Sequence, residues 1–249
     1  MKVSVIVPVF NRAAMIGGAL RSILREAAHA ELDIIVIDDG STDDSAAVVE
    51  ALVPAHPQIR LFRQSNRGVT AARNAGLARL PADADAVTFL DSDDAWAPGR
   101  LADLALLAAA PDAAFCYGRM AIVAALDAET LAPDPADVVA TLRGVHLGVA
   151  LFRPWLLARL GGFDESYRQS EDLDFLMRAF ECRVPHVLSE RVAMYYRRHP
   201  GNMTGRRDEA RRDFARALHG SMRRRRADPS LGSIAEVIDM GDLARRGFR

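Results

Sequence analysis

The sequence predicts an α/β protein with a doubly wound, mostly parallel β-sheet and a C-terminal helical extension. Short β-branched runs alternate with amphipathic segments as far as residue 90, in the order β-α-β-α-β-α-β that is typical of parallel sheets. Polar clusters follow three of the four predicted strands. Ligands of such sheets bind at the carboxyl ends of the strands, so we expect these clusters to converge on one crevice.

The first half of the chain contains the four strands of this pattern. Residues 3–7 are a continuous apolar run that fits a strand buried on both faces. Pro8 is expected to end this strand, and Asn11 to cap the following helix. The later elements of this half are strands at 33–37, 59–62 and 86–90, with a helix after Ser41 and another over 68–80.

The second half is less regular. Its predicted elements are, in chain order, a helix that opens at Pro98, strands at 113–117 and 120–124, a variable loop at 127–143, an extended run at 150–152, a helix from Pro154 to Gly161, a helix over 173–180, a strand at 192–196 and a helix after Gly205.

Composition excludes several classes of protein. The 249 residues are 50% hydrophobic with a net charge of −1, which favours a globular domain and excludes nucleic acid as a partner by bulk charge. No apolar run reaches the roughly 18 residues that span a bilayer. The start of the chain lacks a signal-peptide pattern, and Cys116 and Cys182 provide no disulfide framework, so a cytoplasmic location is expected. Lys2 is the only lysine, which excludes P-loop and Schiff-base mechanisms.

The strongest chemical signal is a run of carboxylates after the fourth strand. Asp91, Asp93 and Asp94 lie within four residues, and their mutual repulsion is costly unless a cation is present. Oxygen ligands favour a hard metal ion such as Mg²⁺ or Mn²⁺. The alternative is a capped turn before Pro98.

A second acidic pair, Asp38 and Asp39, follows the second strand. One of them could cap the next helix, and a buried carboxylate is also an acceptor for a base N–H such as uracil N3. Response regulators and haloacid dehalogenases carry similar acids, but both need a downstream lysine that this chain lacks.

Two further clusters are charged, one of them basic and the other acidic. Arg67 and Arg73 precede or lie on the helix at 68–80, where a guanidinium can bind base, ribose or phosphate. Glu171 and Asp172 lie in the first turn of a later helix, where acids also interact favourably with the helix dipole.

Six segments occur in a fixed order between residues 3 and 204: V-S-V-I-V-P-V-F-N-R, I-D-D-G-S-T-D, N-R-G-V-T-A-A-R-N-A-G, L-D-S-D-D, G-G-F-D-E and E-D-L-D-F-L-M-R. Together they resemble the family-two inverting glycosyltransferases of GT-A fold. The resemblance implies a nucleotide-sugar donor, with a UDP-sugar favoured, a Mn²⁺ or Mg²⁺ ion, and a glycan or lipid-linked acceptor. We accordingly divide the chain into a GT-A domain at 1–205, with a nucleotide-binding half at 1–97 and an acceptor-side half at 98–205, and a basic extension at 206–249.

The resemblance also implies roles for individual residues. Pro8 and Asn11 would lie near the nucleotide, Asp39 would hold uracil, and Arg67 resembles a second contact to base or ribose. Asp91 opens the D-x-D pattern and is grouped with these nucleotide-binding residues.

The metal ligands and the base are implied in the same way. Asp93 would be the principal metal ligand, with Asp94 as its substitute. His199, in the segment Y-R-R-H-P-G-N, would face the diphosphate or the metal. Asp172 matches the catalytic base.

The chemistry follows from these residue types. Departure of a nucleoside diphosphate from a sugar C1 builds negative charge, which a metal on Asp93 offsets. Asp172 takes the proton of the attacking hydroxyl as general base, so no covalent intermediate is needed and the anomeric configuration inverts. The resemblance further implies a hexosyl- or N-acetylhexosaminyltransferase. The alternatives are a non-catalytic nucleotide-sugar-binding or scaffold protein, and a nucleotidyltransferase, which would need a glycine-rich loop after the first strand.

The basic extension permits two interpretations. Residues 206–226 hold nine arginines against three acids, around a thin apolar stripe of Ala210, Phe214, Leu218 and Met222. Such a helix can lie on an anionic membrane. It can also pack its stripe on the catalytic domain or on another subunit of a homo-oligomer.

Overall fold

Strands and helices alternate along the chain in the computed structural model, which describes residues 1–202 and 207–234. The strands are β1 (Lys2–Val9), β2 (Glu31–Asp38), β3 (Ile59–Arg63), β4 (Ala86–Phe89), β5 (Ala95–Trp96), β6 (Phe115–Val123), β7 (Val138–Leu142), β8 (Ala150–Phe152) and β9 (His186–Arg197). The α-helices are α1 (Ala13–Leu24), α2 (Ser45–Leu52), α3 (Val69–Leu77), α4 (Asp103–Ala109), α5 (Pro154–Leu160), α6 (Glu171–Glu181) and α7 (Arg207–Ala227).

The first half forms the predicted parallel sheet, in the order β3-β2-β1-β4. Val3 of β1 aligns with Leu32 of β2 on one side and with Ala86 of β4 on the other. Because these strands run parallel, their carboxyl ends lie at one edge of the sheet. The polar residues after β1, β2 and β4 therefore share that edge, as the sequence predicts.

The second half extends the sheet with mixed pairing. Strand β8 pairs antiparallel with β4 and β6, and β6 pairs parallel with β9. Strand β5 joins β9, and β7 joins β6, both antiparallel. The α/β fold with a mostly parallel sheet and a C-terminal helix is thus confirmed.

The strands of the second half differ from the prediction in several details; β9, for example, begins at His186, before the predicted start at Val192. The two strands predicted at 113–117 and 120–124 are a single strand, β6, with register shifts around Gly118. A side chain at Gly118 would lie 3.3 Å from the Ala193 side chain of β9, so this glycine permits close approach of two strands and does not break one. Strand β7 lies inside the predicted variable loop at 127–143, where its half-exposed residues gave no periodic signal.

Pro8 does not end the first strand. It lies within β1 and is aligned with Ile37 of β2. The carbonyl of Ile6 accepts a hydrogen bond from Leu90, so alternate residues of β1 face β4, and Pro8 faces the same side. Pairing with β4 stops at Ile6, so the missing N–H of Pro8 faces the side of β1 on which β4 no longer pairs with it.

Helix α3 packs closely on β1 and so fixes the position of its polar residues. A side chain at Gly76 would lie 2.5 Å from Ile6 Cγ2, which only glycine avoids. The buried core continues through Phe89, Phe115, Phe152 and Phe175, which lie in both halves of the chain. It therefore supports the carboxyl edge of the sheet from both halves.

The C-terminal helix α7 packs against α6. Ala217 and Ser221 are fully buried, and Arg224 donates to Asp174 (Oδ1, 3.0 Å) and to Glu181 (Oε2, 2.7 Å) of α6. Among the larger members of the predicted stripe, Leu218 packs against the core, whereas Phe214 is 40% and Met222 44% exposed. Small residues, ion pairs and Leu218 therefore hold this helix in place. Residue 206 and residues 235–249 of the predicted extension lie outside the described residues, as do residues 203–205 of the predicted GT-A domain.

No helix in the described ranges is both long and apolar enough to cross a membrane.

Candidate active site

The loops that follow β1 and β2 are joined by reciprocal hydrogen bonds. Asn11 has a left-handed backbone (φ +50°), and its Oδ1 accepts from the Thr42 N–H at 2.8 Å. In return, Asp43 Oδ2 accepts from the Ala13 N–H at 3.0 Å, at the start of α1. The prediction that Asn11 caps α1 is therefore wrong, because its side chain serves the loop after β2. The bonds hold the two strand ends at a fixed spacing.

Asp39 organises the loop before α3. The carboxylate is 3% exposed; Oδ1 accepts from the Gln64 side chain (2.8 Å) and the Arg67 N–H (2.9 Å), and Oδ2 from the Gly68 N–H (2.7 Å). The Arg67 guanidinium points the other way and donates to Glu165 Oε2 at 2.9 Å, in an exposed pair. Asp39 thus has one oxygen, Oδ2, with a single partner and capacity for another donor.

Asp93 lies between two basic side chains. Its Oδ2 is 3.1 Å from Arg12 Nε and 3.1 Å from His199 Nε2. Arg12 also donates to the Gly201 carbonyl at 2.9 Å, and His199 Nδ1 accepts from the Gly201 N–H at 3.1 Å. The segment after β9 is therefore tied to the carboxylates that follow β4.

Asp91 and Asp94 face a different histidine. His146 is buried, and its Nε2 lies 3.5 Å from both Asp91 Oδ2 and Asp94 Oδ2. Its Nδ1 accepts from the Gly148 N–H at 3.1 Å, so the proton of the neutral ring is on Nε2 and faces the two carboxylates. Asp94 is 1% exposed, and its Oδ1 accepts from the Arg197 N–H at 2.9 Å. Burial raises the pKa of Asp94 to about 6.

The residues present fit a hard divalent cation. Three carboxylates follow one strand, and Asp94 Oδ2 is buried without a hydrogen-bond partner among the described residues. Asp91, Asp94 and His146 each offer one potential ligand atom, and these three atoms lie within 4.8 Å of one another. Carboxylate oxygens are the ligands that Mg²⁺ and Mn²⁺ prefer. The structure groups Asp94 with Asp91, whereas Asp93 lies with His199, so the predicted set of Asp93, Asp94 and His199 is divided between two adjoining clusters.

Helix α6 presents its acidic first turn to the same edge. Arg73 of α3 is 4% exposed; it donates to Asp91 Oδ1 at 2.7 Å and pairs with Glu171 of α6. Burial raises the pKa of the Glu171 carboxyl to about 7, against the attraction of Arg73. Burial likewise raises the pKa of the neighbouring Asp172, which is within electrostatic reach of Arg73, His146 and Asp91. Two carboxyl groups therefore lie beside one buried guanidinium.

The G-G-F-D-E segment docks on α3 through Asn74. The Asn74 side chain accepts from the Phe163 N–H (2.8 Å) and donates to the Phe163 carbonyl (2.9 Å). Gly162 has φ +83°, and a side chain there would meet Asn74 Oδ1 at 2.9 Å. The glycine is required for this docking, which brings the loop before α6 against the first half of the chain.

The structure adds residues that the sequence pattern did not single out. Arg12 and His146 both contact the carboxylates after β4, at 3.1 and 3.5 Å. Arg12 directly follows Asn11, and a cation at the end of a parallel strand was an available signal. His146 lies in an irregular segment, and its position depends on pairing between distant strands.

A model of the family described as Glycosyl transferase family 2 matches residues 4–228. The chain belongs to this family.

The match between this glycosyltransferase and a curated relative covers only part of the relative's length. The chain is 40% identical over 105 residues to the GalNAc(5)-diNAcBac-PP-undecaprenol beta-1,3-glucosyltransferase of Campylobacter jejuni, which is 41% of this chain and 33% of that protein. The chain thus spans about a third of the length of this curated relative.

Solved structures place the glycosyltransferase in the GT-A fold. TarS 1-349 of S. aureus in complex with UDP-GlcNAc has a TM-score of 0.65 at 23% identity, covering 82% of this chain and 61% of that chain. The mannosyltransferase PcManGT from Pyrobaculum calidifontis, in complex with GDP-Man and Mn²⁺, has a TM-score of 0.67 at 21% identity, covering 89% and 64%. At these identities the likeness shows the fold.

Proposed function

We propose that this family 2 glycosyltransferase transfers a hexosyl or N-acetylhexosaminyl group, with inversion, from a nucleoside-diphosphate sugar to a hydroxyl group of a glycan or lipid-linked acceptor. The observation that carries the proposal is the ion pairing of Arg73, which donates to Asp91 Oδ1 at 2.7 Å and to Glu171, the residue that directly precedes Asp172 in the first turn of α6. Asp172, which can take the proton of the acceptor, then lies near the carboxylates after β4, which can bind a cation.

Asp172 acts as the general base. The acceptor oxygen forms a bond to the sugar C1 as the bond from C1 to the diphosphate oxygen breaks, and that electron pair leaves with the diphosphate. Asp172 takes the proton of the acceptor hydroxyl. Burial raises the pKa of Asp172, which brings its proton affinity closer to that of a working base near neutral pH.

The donor side is formed by the residues after β1 and β2. Asp39 accepts the N–H of the base, through an oxygen that the loop hydrogen bonds leave with capacity, and a UDP-sugar is favoured because uracil N3 carries a proton. Pro8, Asn11, Arg67 and Asp91 complete the nucleotide contacts. TarS in complex with UDP-GlcNAc supports uridine, whereas PcManGT in complex with GDP-Man shows that the fold also accepts guanosine.

The cation is held by the carboxylates that follow β4. Asp93 and Asp94 are its proposed ligands, with His199 beside Asp93 at 3.1 Å, and Mn²⁺ or Mg²⁺ is the proposed ion. When bound, such an ion supplies positive charge to the departing diphosphate. The Mn²⁺ of PcManGT supports this choice.

The acceptor is a glycan or a lipid-linked sugar. The Campylobacter relative, whose name specifies a diphosphate-undecaprenol acceptor, supports the lipid-linked form. A cytoplasmic enzyme would meet such an acceptor at the inner face of a membrane. The exposed Phe214 and Met222 of α7 are the proposed contact to that surface.

A thermal-shift screen tests the proposal. Nucleoside diphosphates and nucleotide sugars are added with Mn²⁺, and we expect UDP and one or more UDP-sugars to raise the melting temperature. Release of UDP from the UDP-sugar that binds is then measured for wild type and for Asp172→Asn. Binding without UDP release, even when acceptor glycans are supplied, would favour a non-catalytic nucleotide-sugar-binding protein. Absence of any nucleotide effect would contradict the proposal.

A further inference from the structure

Arg12 lies at the carboxyl edge of the sheet and pairs with the carboxylate of Asp93. Its side chain is 23% exposed, and its guanidinium contacts three oxygens: Asp93 Oδ2 from Nε (3.1 Å), the Asn11 carbonyl from Nη1 (3.1 Å) and the Gly201 carbonyl from Nη2 (2.9 Å). Two of these acceptors are neutral. Asp93 is therefore the only carboxylate that pairs with Arg12 in the part of the chain that the structure describes.

The Asp93 carboxylate cannot bind Arg12 and a divalent cation at the same time without loss of affinity for each. Both carry positive charge, and at a separation of a few ångströms they repel each other, so each lowers the affinity of the carboxylate for the other. A guanidinium that loses its counter-charge at the border of the crevice needs another anion. A diphosphate provides one, because its oxygens accept two parallel N–H bonds from arginine.

We propose that Arg12 is a diphosphate-binding residue of this glycosyltransferase, held on Asp93 in the free protein and paired with the diphosphate of the donor in the loaded protein. The inference rests on the proposed function, which supplies the cation and the diphosphate. Arg12 then opposes cation binding when the nucleotide is absent and supports nucleotide binding when the cation is present.

This role predicts opposite effects of one substitution. Arg12→Gln removes the charge but keeps a side chain that can donate to the Gly201 carbonyl. We expect it to bind Mn²⁺ about fivefold more tightly than wild type without nucleotide, because a neighbouring positive charge is gone. We expect its affinity for the diphosphate at saturating Mn²⁺ to fall about tenfold or more, because a charge-assisted hydrogen bond is lost.

The experiment measures two affinities on the full chain. Electron paramagnetic resonance of free Mn²⁺ gives the metal affinity without nucleotide, and calorimetry gives the affinities for UDP and for GDP with Mn²⁺ present. Arg12→Lys retains the charge and should return both affinities toward wild type. Arg21→Ala is the matched control, since Arg21 lies on α1, the helix that Arg12 directly precedes, is exposed and donates to the Ala128 carbonyl; both affinities should be unchanged.

The outcomes separate this inference from the function on which it rests. A purely structural Arg12, which only anchors the segment at Gly201, would make Arg12→Gln weaken both affinities, and that result would overturn the inference. An unchanged diphosphate affinity would also overturn it. If wild type binds neither Mn²⁺ nor either diphosphate, the proposed function fails instead.

Discussion

Asp91 and Glu171 are joined by the guanidinium of Arg73, although they lie in different halves of the chain. Arg73 donates from Nη2 to Asp91 Oδ1 at 2.7 Å and from Nη1 to Glu171. Asp91 lies just after β4, Arg73 on α3 and Glu171 at the start of α6. Arg73 and Glu171 are both buried. The bridge sets the distance between the carboxylates after β4 and the helix that carries Asp172.

Removal of this bridge should destabilise the fold. Arg73→Met leaves two carboxyl groups without their buried partner, so we expect the free energy of unfolding to fall by about 3 kcal/mol. Urea unfolding at neutral pH measures it. Arg67→Met is the matched control, because the Arg67–Glu165 pair is largely exposed and should contribute within about 0.5 kcal/mol. Equal stabilities of the two variants would contradict the role of the bridge.

The identity of the general base can be tested with Asp172→Asn. The variant should bind the donor as wild type does, while kcat falls by about 10²- to 10⁴-fold, because the amide cannot take the acceptor proton. Calorimetry and initial rates measure the two quantities, with the exposed Asp112→Asn as a control. Loss of donor binding in proportion to kcat would instead indicate a donor-side or structural role.

The pH dependence of the reaction should show the same group. A general base acts in its ionised form, and burial raises the pKa of Asp172. The rate should therefore rise with pH through that raised pKa, at a higher pH than an exposed aspartate with its pKa near ~3.9 would give. The pH profile of kcat measures this rise of the rate. If the rise persists in Asp172→Asn, it is caused by the titration of another group.

Asp93 should dominate metal binding. Asp93→Ala removes a partly exposed carboxylate, and we expect Mn²⁺ affinity to fall at least about tenfold with little change in melting temperature. Asp112→Ala, on an exposed loop, should change neither quantity. Full Mn²⁺-dependent donor binding by Asp93→Ala would transfer the principal role to the buried Asp91–Asp94 cluster.

Base selection should favour uracil or thymine. Both carry a proton on N3 that the Asp39 carboxylate can accept, whereas cytosine N3 carries none. Calorimetry in the presence of Mn²⁺ should therefore rank UDP and dTDP above CDP. Tighter binding of CDP would show that Asp39 serves only to hold the Gln64, Arg67 and Gly68 donors of its loop.

Much of the fold follows from local sequence patterns. The four strands of the first half are short apolar runs that end in polar residues, and a parallel sheet must place their carboxyl ends together. That reasoning locates Asn11, Asp39 and Asp91–Asp94 at one edge without any contact being known. The six ordered segments predict the family, and the family model over residues 4–228 confirms it.

The sequence alone therefore determined the order of the four strands of the first half, the edge of the sheet at which their polar residues meet, and the family. Only the tertiary structure decided which side chains meet there. Arg12 reaches Asp93, His146 reaches Asp91 and Asp94, and Arg73 reaches Glu171, because strands and helices far apart in the chain pack at set distances. The same holds for α7, where burial of Ala217 and Ser221 instead of Phe214 depends on the shape of α6 and not on hydrophobicity along the helix. Periodicity specifies which residues can share a face, whereas the partner of that face is set by packing and by the pairing of buried charges.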